Sequence, residues 1–126
     1  MTSTTDSSSG RRNALGRYGE RVAARHLIEQ GMVLLDRNWR CEAGEIDLVL
    51  RDGEVLVVCE VKTRTSDDYG TPHEAVDPAK LQRLKRLGLL WVETHEVRAD
   101  EIRIDLVAVH PQRRGAALVE HVPGLV

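Results

Sequence analysis

The sequence predicts an α/β (α+β) fold, a mixed β-sheet flanked by helices. Three observations carry that expectation. Apolar residues recur at helical spacing in two stretches and in strand-like runs in several others, and the two kinds of stretch follow the order α-β-β-β-α-β-β. Residues 13–126 have the length of one ordinary domain and can support a single core.

The first dozen residues are mostly Ser and Thr, with no apolar residue beyond Met1. Such a segment cannot bury enough surface to offset its ordering entropy, so residues 1–12 are expected to form a disordered tail. No apolar stretch follows it, so it does not read as a secretory signal. A helix is expected over residues 13–30, stopping at Gly31 in the C′ position. Leu15, Gly19, Val22, Ala23 and Leu27 share one arc of it, with Arg17, Arg21 and Arg25 opposite. Glu20 is the exception, projecting beside Leu27 at the edge of the apolar arc. A carboxylate there must be paired, hydrogen-bonded or bound to a cation.

Residues 32–40 read as a strand ending in Asn38-Trp39-Arg40. Residues 45–51 and 54–64 read as two more, joined by Asp52-Gly53, the strongest short hairpin signal available. A polar loop over residues 65–77 follows, with Gly70 and Pro72. The second helix opens with Asp77 as N-cap and Pro78 at its first position. Leu81, Leu84, Gly88, Trp91, Val92 and His95 form its apolar stripe, with Lys80, Arg83 and Arg86 off it. Residues 102–109 are expected as a fourth strand and 117–122 as a short fifth.

Net charge is −2, but its distribution is uneven. From Arg11 to Arg40 there are seven basic residues against three acidic, and from Cys41 to Glu60 one basic against six acidic. Lys80 to Leu87 then holds four basic residues and no acidic one. Basic helices around an acidic hairpin fit phosphate binding beside a metal site, although solvated helix faces produce the same pattern. Cys41 and Cys59 are too few for a disulfide scaffold, and the five histidines show no zinc-binding spacing. No apolar run approaches bilayer-crossing length, which excludes a membrane-spanning class and leaves the cytoplasm as the default location.

The hairpin concentrates the chemistry. With Asp52 and Gly53 as the turn residues, Glu45 falls opposite Glu60 and Asp47 opposite Val58. Period-two alternation then puts Glu45, Asp47, Glu60 and Lys62 on one face. Ile46, Leu48, Leu50, Val55, Val57, Cys59 and Val61 form an apolar layer on the other. Like charges set side by side on paired strands are destabilising, so three carboxylates call for a cation among them. Mg²⁺ suits one or two carboxylates completed by waters and a substrate phosphate. Asp47 and Glu60 are the expected ligands, with Lys62 placed to stabilise phosphate charge. A salt-bridged sheet face is the plainer alternative.

Asp47, twelve intervening residues and Glu60-Val61-Lys62 resemble the PD-(D/E)xK nuclease signature, without its proline. Gly16-Arg17-Tyr18-Gly19-Glu20, Asn38-Trp39-Arg40, Gly44-Glu45-Ile46-Asp47-Leu48 and Glu60-Val61-Lys62-Thr63-Arg64 together resemble the YraN-like family, a bacterial group similar to archaeal Holliday junction resolvases. Ala75-Val76 leading to Lys80, and Arg103-Ile104-Asp105, also fit. The resemblance spans residues 13–109. It implies a restriction-endonuclease-like core, a Mg²⁺ or Mn²⁺ cofactor and a nucleic-acid substrate. Asp47, Glu60 and Glu20 would ligate the metal, and Lys62 would be the catalytic lysine. Arg40, Arg64 and Lys80 are candidate phosphate contacts. Trp39 reads as core rather than as a base-stacking platform.

The expected function is a metal-dependent nuclease acting on DNA, branched or otherwise structured DNA included. Junction-resolving nucleases act as dimers, so a homodimer is implied by analogy. A nucleic-acid-binding protein without catalysis and an adaptor domain are the competing readings. The adaptor would leave the clustered carboxylates unexplained.

Overall fold

Gly31, at φ 101°, ends the first helix as its position in the sequence requires. Its N–H donates to the Ile28 carbonyl and the Met32 N–H to the Leu27 carbonyl, the paired bonds of a Schellman cap, and buried Met32 closes the end. The computed structural model describes residues 7–65 and 77–125. Its elements are α1 (Ser7–Glu29), β1 (Val33–Cys41), β2 (Gly44–Asp52), β3 (Val55–Thr63), α2 (Pro78–His95), β4 (Glu101–His110) and β5 (Leu118–Val122).

The element order is the expected one, with one difference at the start. The helix begins at Ser7 rather than Asn13, so the second half of the expected tail is helical backbone. Once an amphipathic segment has nucleated a helix, each added turn costs little, and no burial is needed to extend it. Residues 1–6 and most of the expected 65–77 loop lie outside the described residues. At α2, the Asp77 carboxylate accepts from the Lys80 N–H at 2.8 Å with Pro78 in the first turn, as the sequence predicts.

The five strands lie in the order β1-β2-β3-β4-β5, antiparallel except for the parallel pair β3–β4 that α2 connects. This is a mixed sheet flanked by helices, the α+β class expected. Both faces are buried. Ala23, Ala24 and Leu27 of α1 pack on Leu48, Leu50, Val57, Cys59, Val107 and Val109. Leu81, Leu84, Leu87 and Trp91 of α2 pack on Val49, Leu56, Val58 and Ile104. A Cβ on Gly88 would stand 3.0 Å from Val58 Cγ2 and 3.1 Å from Ile102 Cγ2, so a larger residue there would have to push these side chains aside. Among the described residues no helix is long and apolar enough to cross a membrane.

Two corrections concern the hairpin. Asp52 pairs with Val55 and Leu48 with Cys59, so the turn is Gly53-Glu54 and the register differs by two from the expected one. Val58 faces Val49, not Asp47. Gly53 has φ 61° and Glu54 has no positive φ, the pattern of a turn with glycine first. The Asp-Gly pair had suggested glycine second. A slip of two residues by itself keeps every side chain on its face, but Glu45 departs from the expected shared face: beside the switched Ile46, it pairs with Arg40 and also lines the groove of Glu20 on the α1 side. The apolar layer changes at one place, because Ile46 packs on the α2 side while Leu48 packs on the α1 side. The alternation breaks at Asp47. Across from it in β1, Asn38 has φ 52°, and the β1–β2 pairing keeps one register from Arg37–Leu48 to Trp39–Ile46, its shift lying between Leu34 and Asp36.

Candidate active site

The break at Asp47 builds the site. The β2–β3 ladder stops at Leu48–Cys59, and beyond it the Val61 N–H donates to Asp47 Oδ2 at 2.9 Å. A side-chain carboxylate thus takes the place of a strand carbonyl and is held beside Glu60. Glu60, only 7 % exposed, is one of two charged residues in the buried set. Glu45, Asp47, Glu60 and Lys62 line one cleft of about 350 Å³, closed on the other side by Lys80, Arg83, Leu84 and Leu87 of α2.

Two ammonium groups meet the acidic cluster. Lys62 Nζ lies 3.4 Å from Glu60 Oε2, and Lys80 forms an ion pair with the same oxygen. Burial pulls the Lys80 ammonium pKa down more than any single contact raises it, but the bond to and charge of Glu60, with Lys62 and Asp47, together make the net shift upward. Asp47 shows the opposite balance for an acid. Burial raises its carboxyl, the Glu60 charge raises it further, and the Val61 N–H offsets part of this, with Glu20 and Glu45 adding more repulsion. The result is about 7, far above the usual 3.8. A carboxyl in this state holds a proton or a cation near neutral pH.

The other expected residues are spread around the cleft. Glu20 lies in an adjoining groove with Gly16, Arg17, Asn38 and Arg40. It is near enough to raise Asp47 but does not line the cleft. Among the described residues it has no ion pair with Arg40 or Arg64. Arg40 instead donates from Nε to Glu45 Oε2 at 2.8 Å, fully exposed. Arg64 lines a separate groove with Leu15, His110 and Arg113, where its Nε is buried without a hydrogen-bond partner. Lys80, expected at a phosphate, is in the cleft but engaged with Glu60. Trp39 is half-buried against the α2-side core, as expected of a packing residue. Cys59 is buried, and burial pushes its thiol pKa well up, which suits an inert core position.

Sequence reasoning placed Arg83 only off the apolar stripe, whereas it forms a wall of the cleft. Its i, i+3 spacing from Lys80 was the available signal. Gly44 explains why it sits there. At φ 141°, Gly44 brings the β1–β2 turn against α2, and a Cβ on it would stand 3.4 Å from Leu87 Cδ1 and 3.8 Å from Arg83 Cδ.

Among the described residues no group of three Asp, Glu, His or Cys side chains converges in a metal-binding arrangement. Of the three expected ligands, Asp47 and Glu60 line the cleft and Glu20 does not. That pair fits Mg²⁺ or Mn²⁺, which accept two carboxylates and complete their shell with water and phosphate oxygens. Two ammonium groups already stand on Glu60, which is where the cluster draws positive charge.

The model of uncharacterised protein family UPF0102 matches residues 19–109, a span that contains every candidate site residue named above. A UPF0102 protein of Nocardioides sp. is 62% identical over 122 residues, covering 97% of this chain and 98% of its own. One from Kineococcus radiotolerans is 56% identical over 115 residues, covering 90% and 94%. Among solved structures, SfsA of Pyrococcus furiosus in complex with Ca²⁺ covers 90% of this chain and 64% of its own, at 12% identity and a TM-score of 0.39. The chain belongs to the UPF0102 family, the YraN family that its motifs resemble.

Proposed function

We propose that this UPF0102 chain is a Mg²⁺- or Mn²⁺-dependent nuclease that hydrolyses phosphodiester bonds in DNA, branched or structured DNA included. The observation that carries the reading is the Asp47–Glu60–Lys62 cluster at the break in β2. Two carboxylates stand side by side in a cleft with an ammonium beside them, and the Asp47 carboxyl is held by a backbone N–H rather than by an ion pair. A sheet face built only for stability has no use for a carboxyl raised to about 7.

In this reading Asp47 and Glu60 would hold the cation, and the Val61 N–H holds the Asp47 carboxylate in place in the cleft. A divalent ion bound there supplies Lewis acidity toward a phosphodiester oxygen and acidifies water. Lys62, half-exposed at the cleft, donates to the phosphate oxygens and stabilises the charge that grows on them. Lys80 is paired with Glu60, and a cation held by that carboxylate would compete with it. Glu20, near Asp47 but outside the cleft, adds negative potential and a site for a water-bridged contact. The restriction-endonuclease-like core, the homodimer and a cytoplasmic location belong to this same reading.

The test is a panel of labelled single-stranded, duplex, flap and four-way-junction DNA incubated with Mg²⁺ or Mn²⁺. Metal-dependent cleavage of at least one supports the enzyme. Binding without cleavage under any metal favours the second reading, a nucleic-acid-binding protein, for which the two lysines already neutralising Glu60 are the specific evidence.

A further inference from the structure

The four basic residues between Lys80 and Leu87 do not share one role. Lys80 is bound to Glu60, and Lys85 is exposed and lines neither cavity described next. Arg83 and Arg86, both exposed and one turn apart, line a second cavity of about 860 Å³ whose opposite wall is the β1–β2 turn at Cys41, Glu42 and Ala43. Arg83 also walls the Asp47–Glu60 cleft, so the two cavities meet at that residue. Neither arginine has an ion pair or hydrogen bond among the described residues. On the other flank of the cleft Arg40 is already engaged with Glu45. Of the arginines without an ion pair among the described residues, Arg83 is the one that lines the cleft itself, while Arg17 lines only the adjoining groove of Glu20.

A polyanion cannot enter an acidic cleft unless something next to it attracts the backbone. Side chains at i and i+3 are neighbours, about 5–6 Å apart at Cβ. Guanidinium groups bind phosphate bidentately and are weakly hydrated, so they suit this work better than ammoniums. We propose that the groove between the β1–β2 turn and α2 carries the phosphate backbone of the nucleic-acid strand that leads into the cleft, with Arg83 and Arg86 as its contacts. The inference rests on the nuclease reading and adds to it the direction from which substrate arrives. Gly44 is part of the device, because its φ of 141°, a conformation that other residues rarely adopt, shapes the turn that packs on Leu87 and Arg83.

The test is equilibrium binding of labelled single-stranded and duplex DNA to the full chain over a salt series, for wild type, Arg83→Gln/Arg86→Gln and the charge-matched control Arg113→Gln/Arg114→Gln. The groove variant is expected to bind more weakly and to lose about 1.4–1.8 from the slope of log affinity against log salt, two phosphates' worth. The control keeps the wild-type slope. An unchanged slope in the groove variant overturns the proposal, and so does an equal loss in both variants, which would report net charge alone. If the slope is unchanged while wild type still cleaves DNA with metal, only the groove falls. If wild type neither binds nor cleaves any DNA, the nuclease reading falls and takes the groove with it.

Discussion

The Val61 N–H donates to Asp47 Oδ2 at 2.9 Å, one step beyond the last backbone pair of the β2–β3 hairpin. The strand is thereby opened without leaving its half-buried donor unsatisfied. Replacing Asp47 by Ala removes the acceptor and costs about 1–3 kcal/mol for the stranded N–H, whereas Asn keeps an acceptor oxygen. The sign of the charge effect is opposite. With a folded pKa of about 7 against 3.8 unfolded, the folded protein holds the extra proton, so stability falls as pH rises between those values. Asp47→Asn is expected to flatten that slope and to stabilise the metal-free protein at pH 8 by on the order of 1–4 kcal/mol. Urea unfolding of wild type, Asp47→Asn and Asp47→Ala from pH 4 to 8 checks this.

Lys80 and a divalent cation compete for Glu60 in the proposed mechanism. Lys80→Met should lower the melting temperature without metal, because Glu60 is nearly buried and loses its closest partner. Added Mn²⁺ should then raise it more than in wild type, since a ligand that binds only the folded state stabilises by mass action. A melting curve of Lys80→Met that Mn²⁺ leaves unmoved would remove Glu60 from the metal site.

Asp105 predicts acid sensitivity of a different part of the fold. It is wholly buried, receiving bonds from Arg103 Nε at 2.8 Å, the His121 ring at 2.8 Å and the Gly124 N–H at 3.0 Å. Burial pushes its carboxyl up, but the His121, Arg103 and Gly124 bonds win and hold it below the usual carboxylate value. A depressed folded pKa gives stability that is present above the unfolded value near 4 and is lost as pH falls through the folded one. Asp105→Ala should cost about 3–5 kcal/mol at pH 7 and lose less further stability on acidification than wild type. Thermal melts of both proteins between pH 2 and 7 test it.

Gly19 is where α1 crosses β3. A Cβ there would run into Thr63 Oγ1 and lie 3.1 Å from Thr63 Cβ. Gly19→Ala should destabilise by about 1–3 kcal/mol, and Thr63→Ala in the same chain should recover most of the loss, giving a coupling term in a double-mutant cycle. Equal losses with and without Thr63 would mean that the helix does not approach as closely as it does here.

Both helices, the hairpin and the mixed sheet were legible because their signals are local. Gly31, Asp77-Pro78 and the period-3.6 stripes act within a few residues of where they are read. The register was not, since Asp52-Gly53 fits either place in a two-residue turn and only the sheet decides. An even slip leaves the faces as read, and they change only beyond the break at Asp47, where Ile46 and Glu45 turn over. The switch of Ile46 to the α2 side depends on Asn38 across the ladder, a relation that no window along the chain contains. Glu20 was legible as a misplaced carboxylate, but its distance from the cleft depends on how α1 packs. Asp105 carried no site signal, because His121 and Gly124 join it from the end of the chain.

The most direct measurement is single-turnover cleavage, with Mg²⁺ or Mn²⁺, of whichever DNA the wild-type chain cuts, by wild type, Asp47→Asn and Lys62→Ala, each with its DNA affinity measured in parallel. The account predicts that both variants bind DNA as wild type does and cleave it about 10²-fold or more slowly, the scale of losing one stabilising group in a charge-developing transition state. Cleavage at the wild-type rate by either folded variant would contradict it.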